Sequence, residues 1–417
     1  MTSMERTIPR IVVTGLGAVT PIGNDVDSFW AGLLEGRNGV ARVSLSDSDD
    51  LPVQIAAEVD NFDPEQYLDR RSVRRSGRFV QLATAAAMQA MTDSSYPLDG
   101  DSGDEVGVVM ASSGDAFNMG EPWGVLKERG AKRVDPLLIT RHGQHMAAAR
   151  VARELGLRGP NTTINTACAS GTDALGHALN LLRLGHARAL LAGGAEAMVT
   201  QLALASMGRL GALSQNNDDP EHASRPFDRD RDGFILGEGA GVLMLEREDD
   251  ALARGAHIYA ELAGVGWSFD ATDDAAPDAE GQSLAITRAL RDADTAPEAV
   301  EYINAHGTST PLNDRTETAA IKLALGAEGA HRIAISSTKS MTGHLAAGAG
   351  GIEAVSTVLS IEHGAAPPTI NYLTPDPDCD LDIVPNEARK MDISTAMSNS
   401  FGLGGQNASA VFKRFES

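Results

Sequence analysis

The sequence predicts an α/β fold built from two similar halves. Short apolar runs, typical of buried strands, are followed by small-residue turns and then by amphipathic helices, and this order recurs along the chain. The chain has 417 residues, which is long for one simple hydrophobic core, and its 43 glycines suit a protein with many tight turns. We therefore expect an internal duplication, with one half in residues 1–255 and the other in residues 256–417.

The elements of the first half follow from its apolar patterns. Strands are predicted at residues 10–15, 106–110, 162–164, 189–192 and 240–246. Helices are predicted at residues 29–34, 79–90, 136–155 and 175–182. The glycine pair at 193–194 is expected to end the fourth strand, and the segment 111–135 is expected to be irregular.

The second half repeats the alternation. Strands are predicted at residues 259–266, 300–304 and 333–337, and the last strands are expected to flank the stretch from 397 to 412. Helices are predicted at residues 282–293 and from about residue 345 onward. Several of these strands end in turns that carry chemically reactive residues, and this is where α/β sheets present functional groups.

Composition limits the classes of partner. The formal net charge of −22 argues against nucleic acid or an anionic membrane as the main partner. Two cysteines cannot form a disulfide framework, and no apolar run is long enough to span a bilayer. We therefore expect a cytoplasmic protein that does not enter membranes.

Two basic stretches stand out in this acidic chain. They are Arg70, Arg71, Arg74, Arg75 and Arg78 in one run, and Lys132 and Arg133 in another. A solvated helix end is one interpretation of the first run. The other is a docking site for an acidic partner.

Cys168 lies in a turn of small residues between a predicted strand and a predicted helix. Free N–H groups and the helix dipole at that position favour a thiolate, the better nucleophile. Small neighbours leave room for a substrate carbonyl and let backbone N–H groups form an oxyanion hole. Because a small buried cysteine under a glycine turn would look the same in sequence, a catalytic interpretation requires partners elsewhere.

Such partners are present in the second half. His306 follows a predicted strand, Lys339 and His344 share another turn, and a glycine-rich loop at 402–405 lies near the C-terminus. A zinc site is the alternative, but no HxxxH or CxxC spacing accompanies these histidines. A dinucleotide-binding loop after the first strand lacks its third glycine.

Several motifs in order resemble those of one family. They are TACASG, RPFDRDRDGFILGEGAG, NAHGTSTPLND, STKSMTGHLAAGAG, PPTIN and NSFGLGGQN. With them the chain resembles β-ketoacyl-acyl carrier protein synthases of the elongating Cys-His-His type, of the synthase II kind, in the thiolase superfamily. The resemblance runs from residue 10 to about residue 412. It implies a five-layered αβαβα fold of two similar halves and, usually, a homodimer.

The resemblance also implies roles for individual residues. Cys168 would accept an acyl chain from the phosphopantetheine thioester of a carrier protein, and His306 and His344 would assist decarboxylation of a malonyl thioester. Lys339 would act electrostatically near His344, and Glu353 would hold that region through hydrogen bonds. The backbone N–H groups of Cys168 and Leu403 would form an oxyanion hole. The substrate-binding positions would be Asp270, Thr308, Thr310, Phe401 and Leu403.

The implied partner is an acyl carrier protein, and carrier proteins of this family are acidic. Docking is therefore expected at Arg70, Arg71, Arg74, Arg75, Lys132 and Arg133. No metal is expected, and no cofactor other than the phosphopantetheine of the carrier. A heterodimer with a ketosynthase-like partner is an alternative to the homodimer.

The function implied is decarboxylative condensation in fatty-acid or polyketide chain elongation. The alternatives are a non-elongating partner of the chain-length-factor type and an acyltransferase of a specialised polyketide pathway. A thiolase would carry a second cysteine where this chain has FGLGG, and the initiating synthases would lack the histidine of TGH.

Two departures from the family pattern concern the acyl pocket. Leu403 stands where these synthases usually have a phenylalanine that gates the pocket, so a less selective gate is expected. The normally apolar helix before the cysteine unit carries polar residues, which are Arg141, His142, Gln144 and His145. If they face the tunnel, short or polar acyl groups are expected to be preferred over long saturated ones. The alternative is that they face a dimer partner or solvent.

Overall fold

The computed structural model describes residues 8–98, 102–114 and 116–416. The outer ends of the two predicted halves, residues 1–7 and Ser417, lie outside these ranges, as does Asp115 in the segment predicted to be irregular. Within the described ranges, no helix is long and apolar enough to cross a lipid bilayer.

The described part of the chain contains fourteen strands and fourteen α-helices. The strands are β1 (Ile11–Val19), β2 (Ala41–Arg42), β3 (Ile55–Ala56), β4 (Val106–Ala111), β5 (Asn161–Ile164), β6 (Ala189–Ala197), β7 (Glu238–Arg247), β8 (Ala260–Phe269), β9 (Tyr302–Asn304), β10 (Ala334–Ser336), β11 (Ala365–Ala366), β12 (Arg389–Lys390), β13 (Thr395–Phe401) and β14 (Gln406–Lys413). The helices are α1 (Val26–Glu35), α2 (Arg70–Arg75), α3 (Arg78–Ser94), α4 (Gly120–Arg129), α5 (Leu138–His142), α6 (Met146–Leu155), α7 (Ser170–Arg183), α8 (Gln201–Leu210), α9 (Glu248–Ala253), α10 (Ala279–Asp292), α11 (Pro311–Leu325), α12 (Ala327–Ala330), α13 (Lys339–Thr342) and α14 (Ala349–His363).

Ten strands form one mixed sheet in the order β10-β9-β13-β14-β8-β1-β7-β6-β4-β5. Five strands of the first half lie on one side of the β1–β8 join, and five of the second half lie on the other. The join is a short antiparallel pairing at Val12 and Val13. Counted from the join, each half has the same spatial order of its strands, namely first, fifth, fourth, second and third. This repeated topology supports the division into halves near residue 255, which we retain as a proposal.

The helices complete a layered arrangement. Helices α3 and α6 cover one face of the first half, and α10 covers the outer face of the second, with α11 packed against α10. Helices α7 and α14 contact each other and the strands of both halves, so the sheet folds around them. The layers are therefore helix, sheet, helix, sheet and helix. The predicted α/β fold is confirmed.

The two middle helices cross at glycines. A Cβ atom at Gly171 of α7 would lie 2.6 Å from the backbone nitrogen of Gly351, and one at Gly350 of α14 would lie 2.4 Å from the backbone nitrogen of Thr172. Real side chains do not come this close, so larger residues would force the helices apart. The crossing places Cys168, three residues before Gly171, against the second half of the chain.

Three expectations about element bounds are wrong. Strand β6 does not end at 193–194 but continues to Ala197. A Cβ at Gly193 would lie 2.0 Å from the carbonyl oxygen of Gly241, so glycine is required there by close packing. These glycines allow close packing within the sheet and do not terminate a strand. The helix expected at 136–155 is two helices, α5 and α6, because the backbone of Gly143 is extended. The segment 111–135 contains α4, which begins at Gly120 and ends before Gly130.

Candidate active site

Cys168 lies on a sharp turn between β5 and α7. The preceding residue, Ala167, has φ of 51°, which is uncommon for a residue with a side chain. The hydroxyl of Ser170 accepts from the Thr166 N–H (2.7 Å) and donates to the Ala167 carbonyl (2.5 Å). The Thr166 hydroxyl in turn donates to the carboxylate of Asp173 (2.5 Å). These bonds hold a strained turn that presents the thiol.

A cavity of about 410 Å³ leads to this thiol. Cys168, His306 and His344 all line it. The residues predicted to bind substrate line the same cavity, and they are Asp270, Thr308, Thr310, Phe401 and Leu403. One cavity thus collects predicted residues from several distant turns of both halves.

The two histidines come from the second half and meet the cysteine at the cavity. His306 follows β9, and His344 follows α13; both are buried. Their rings are edge to face, with centroids 5.3 Å apart. The cysteine sulfur and one ring nitrogen from each histidine lie within 4.8 Å of one another. All three side chains can therefore reach one substrate carbonyl.

Lys339 lies behind His306. Its ammonium donates to the His306 carbonyl (2.7 Å), forms an ion pair with Glu353, and lies 3.4 Å from Nδ1 of the His306 ring. All three residues are buried. An ammonium has only donors, so Nδ1 of His306 is the acceptor and Nε2 carries the proton. Lys339 thus contacts His306 directly, and its positive charge also acts on His344.

The electrostatic environment keeps both rings neutral. Burial lowers the pKa of His306 and of His344 well below the usual value, and the positive charge of Lys339 lowers both further. Burial raises the pKa of the Glu353 carboxyl, while Lys339 opposes that shift. At neutral pH each imidazole is therefore uncharged and offers one N–H donor.

The thiol itself is not activated in the way the sequence predicted. Burial raises the pKa of Cys168, and the hydrogen bond from the Leu403 backbone and the charge of Lys339 oppose this without offsetting it. The expected lowering is wrong because Cys168 precedes the first residue of α7 by two positions and because the effect of burial outweighs the opposing interactions. The thiol is therefore mainly protonated before substrate arrives.

The glycine-rich loop joins β13 to β14 and lies over the cysteine turn. A Cβ at Gly402 would lie 2.7 Å from the Thr166 carbonyl oxygen, so only glycine fits there. The backbone of Leu403 hydrogen bonds with the Cys168 sulfur, as a donor of an oxyanion hole would. The Leu403 side chain is 56% exposed at the cavity.

Asp270 ties this loop to the segment after β8. Its carboxylate accepts from the side-chain amide of Asn407 (2.5 Å), and its N–H donates to the Gly405 carbonyl (2.9 Å). Burial raises the pKa of the Asp270 carboxyl. Asp270 therefore contacts the cavity while its carboxylate is already engaged with the protein.

Sequence reasoning missed Glu317. This buried carboxylate on α11 accepts hydrogen bonds from the backbone N–H groups of His306 (2.8 Å) and Gly307 (2.7 Å). Burial raises its pKa to about 7, against the effect of those two N–H groups. Its only sequence signal is its place on the inward face of the helix that follows the histidine turn.

Sequence reasoning also missed Arg231. The buried guanidinium donates to the carbonyls of Thr310 (3.1 Å) and Pro311 (3.0 Å) and to the carboxylate of Asp376 (2.5 Å). It holds a turn in which Ser309 has φ of 72°. Arg231 thus fixes the turn that carries Thr308 and Thr310 into the cavity.

The predicted docking residues are all exposed, on α2 and in the turn before α5. Arg141 links these segments, because it pairs with Asp135 (2.8 Å) and donates to the Arg74 carbonyl (2.9 Å). The two basic stretches therefore lie close together.

Two of the polar residues before the cysteine unit bond to neighbouring segments of the chain. Arg141 binds α2, and the Gln144 side chain donates to the Ser113 carbonyl (2.9 Å). Within the described protomer, neither these two nor His142 or His145 line the cavity at Cys168. Their predicted effect on acyl preference stays a prediction.

Comparison with known proteins defines the family. The chain matches the models "Beta-ketoacyl synthase, N-terminal domain" over residues 9–251 and "Beta-ketoacyl synthase, C-terminal domain" over residues 259–373. It is 47% identical to 3-oxoacyl-[acyl-carrier-protein] synthase 2 of Synechocystis sp., over 100% of both chains. It is 45% identical to the protein of the same name from Staphylococcus aureus, over 98% of this chain and 99% of that one.

Solved structures agree with these relatives. The ishigamide ketosynthase/chain length factor superposes with a TM-score of 0.92 at 36% identity, covering 98% of this chain and 100% of that one. The AntDE ketosynthase of a type II polyketide synthase, in complex with its acyl-carrier protein AntF, gives a TM-score of 0.88 at 36% identity, with the same coverage.

The chain belongs to the beta-ketoacyl synthase family. The predicted family and the predicted enzyme class, an acyltransferase of the 3-oxoacyl synthase type, are confirmed. The predicted function, chain elongation in fatty-acid or polyketide biosynthesis, is confirmed at that level.

Replacing Glu317 with glutamine tests the role of the missed carboxylate. The amide offers one acceptor oxygen in place of two, so one N–H of the His306 turn loses its partner. We expect kcat for condensation to fall roughly tenfold with little change in KM, since His306 is displaced. Glu328→Gln, on the exposed helix α12, is the matched control. Unchanged kcat in Glu317→Gln would contradict this role.

Proposed function

We propose that this chain forms an acyl-enzyme at Cys168 and then condenses it with a malonyl thioester carried on an acyl carrier protein. The observation that carries the proposal is the meeting of one thiol and two neutral imidazoles at the end of one cavity. Thiol and imidazoles have different chemical tasks, and the geometry supports both.

In the first half-reaction, the Cys168 sulfur attacks the carbonyl of the acyl thioester. The carbonyl electrons move to oxygen, where the backbone N–H groups of Cys168 and Leu403 stabilise the charge. The carbon–sulfur bond to the carrier arm then breaks, and the thiol proton is transferred to the departing sulfur. Because burial raises the pKa of Cys168, proton loss accompanies attack and does not precede it.

In the second half-reaction, the malonyl group loses carbon dioxide and leaves an enolate on its thioester carbonyl. Neutral His306 and His344 are suited to stabilise that oxygen by donating N–H bonds. The enolate carbon attacks the acyl carbonyl on Cys168, and the cysteine sulfur leaves as a thiolate, which takes up one proton from solvent to restore the thiol. Lys339 orients His306 and lowers the pKa of both imidazole rings. Glu353 holds Lys339 in place through an ion pair.

Substrates of ketosynthases are carried on the phosphopantetheine arm of a carrier protein, and the AntDE relative is known in complex with one. For this chain we place the docking site at the exposed basic residues of α2 and of the turn containing Lys132 and Arg133. The whole chain has a formal net charge of −22, so a local positive surface is needed to attract an acidic partner.

We further propose a dimer formed at β5. This strand lies at the end of the sheet, next to β4 alone among the described strands, and its outer edge offers free backbone groups. Exposed apolar side chains occur in the preceding segment, where Trp123 is 59% and Ile139 is 74% exposed. A second copy is the simplest partner. A heterodimer with a ketosynthase-like chain is the alternative, since one relative is a ketosynthase/chain length factor.

The non-elongating alternatives are less well supported. A partner of the chain-length-factor type would need no thiol, whereas here a strained turn, two histidines and a buried lysine converge on Cys168. An acyltransferase of a specialised pathway would use the thiol but leave the paired imidazoles without a task. A cytoplasmic location, and catalysis without a metal or a cofactor beyond the carrier arm, stay predictions.

Replacing Cys168 with alanine tests the proposed function. We expect acyl-enzyme formation to disappear and condensation to fall by roughly a thousandfold or more, while some malonyl decarboxylation remains because both histidines are intact. Mass spectrometry of the intact protein measures acylation, and release of carbon dioxide measures decarboxylation.

The matched control is Cys379→Ala, which removes the other cysteine, a buried thiol whose pKa is raised to about 12. This variant should still be acylated. Condensation at the wild-type rate by Cys168→Ala would refute the assignment of the nucleophile.

A second experiment tests the docking surface. Reversing Arg74 and Arg75 to glutamate should raise KM for carrier-bound substrate about tenfold and spare a small pantetheine thioester. Reversing Arg291 and Arg332, which are exposed elsewhere on the chain, applies the same charge change as a control. Equal losses with both substrates in the Arg74/Arg75 variant would contradict docking at this surface.

A further inference from the structure

One wall of the catalytic cavity carries a polar side chain without a partner. Gln282, in the first turn of α10, is 0% exposed and lines the cavity. Neither its carboxamide nitrogen nor its oxygen makes a hydrogen bond to any described residue. Burying an amide unpaired is costly, so proteins rarely retain one without a reason. This suggests that a ligand supplies the missing bonds.

Other polar side chains on the same wall are already paired. The hydroxyls of Thr308 and Thr310 bond to each other (3.0 Å), and Asp270 accepts from Asn407 (2.5 Å). Gln282 is therefore free to take a new partner without breaking an existing bond. His344 also has an unpaired nitrogen, Nδ1, but that ring already has a task in the reaction.

The position of Gln282 indicates which part of a substrate passes it. Exposed residues of the loop 273–276, including Asp273 and Asp274, line the outer part of the cavity, and α10 begins directly after this loop. Gly281, next to Gln282, packs against Asp270. Gln282 thus lies on the cavity wall that adjoins this exposed loop, and an arm that carries a thioester past the loop to Cys168 runs along that wall.

We propose that the Gln282 carboxamide hydrogen bonds an amide of the phosphopantetheine arm. The arm contains two secondary amides, each with one N–H and one carbonyl, and a carboxamide is the complementary pair of acceptor and donor. Gln282 is thus a binding residue for the arm and not for the acyl chain. The inference rests on the proposed function, because it requires an arm-bound thioester in this cavity.

The test uses Gln282→Met, which keeps a similar length and removes both hydrogen-bonding groups. The acylation rate of Cys168 is measured by mass spectrometry with two hexanoyl donors, a pantetheine thioester and an S-ethyl thioester that has no amide. We expect the acylation rate of the variant to fall roughly tenfold with the pantetheine thioester and to stay unchanged with the S-ethyl thioester. Its Tm should equal or exceed that of wild type, because an unpaired buried amide has been removed.

Gln66→Met, at an exposed position, is the control for the substitution itself. Equal losses with both donors, or no loss with either, would overturn the role of Gln282 while leaving the proposed function standing. A lower Tm with equal losses would assign Gln282 to structure. A wild-type protein that neither donor acylates at Cys168 would overturn the proposed function, and this inference with it.

Discussion

The buried ammonium of Lys339 connects the groups that prepare the site for chemistry. It pairs with Glu353, donates to the carbonyl of His306 and faces the ring nitrogen of the same residue. An unpaired buried charge is strongly unfavourable, so each member of this group depends on the others. The positive charge also makes protonation of His306 and His344 costly, which leaves both rings as neutral donors beside the thiol.

This charge acts at the right place only because the two halves of the chain pack closely. The nucleophile belongs to the first half, and the histidines and lysine belong to the second. Glycines at the crossing of α7 and α14 let backbones approach where side chains would not fit, and Gly402 lets the C-terminal loop lie against the cysteine turn. The duplicated fold thus provides rigid surfaces that meet at one cavity.

Much of this could be predicted from the sequence, because the reactive residues lie in short turns after recognisable strands. Cys168, His306 and His344 could be found in this way, since their turns are rich in small residues. The lowered pKa expected for Cys168 was wrong, because burial depends on the neighbouring half of the chain. The breaks around Gly143 and the continuation of β6 through Gly193 were missed for a similar reason. A glycine that ends an element and one that permits close packing look alike in sequence.

Glu317, Arg231 and Gln282 show what sequence patterns do not reveal. Each is a polar residue in a segment where polar residues are usually solvated, and only the packing makes it inward-facing. Glu317 and Arg231 fix the turns that carry His306 and Thr310. These roles follow from hydrogen bonds between separate elements of the fold, which periodicity cannot predict.

The protonation state of the two histidines is the most direct test of this account. In protein labelled with ¹⁵N at histidine, NMR spectra between about pH 8 and pH 5 report each imidazole, and His306→Ala and His344→Ala identify the two signals. The lowered pKa values predict that both rings stay neutral as the pH falls through about 6.5, the usual value for a histidine side chain. Titration of either ring near 6.5 would contradict the claim that two neutral imidazoles stabilise the enolate.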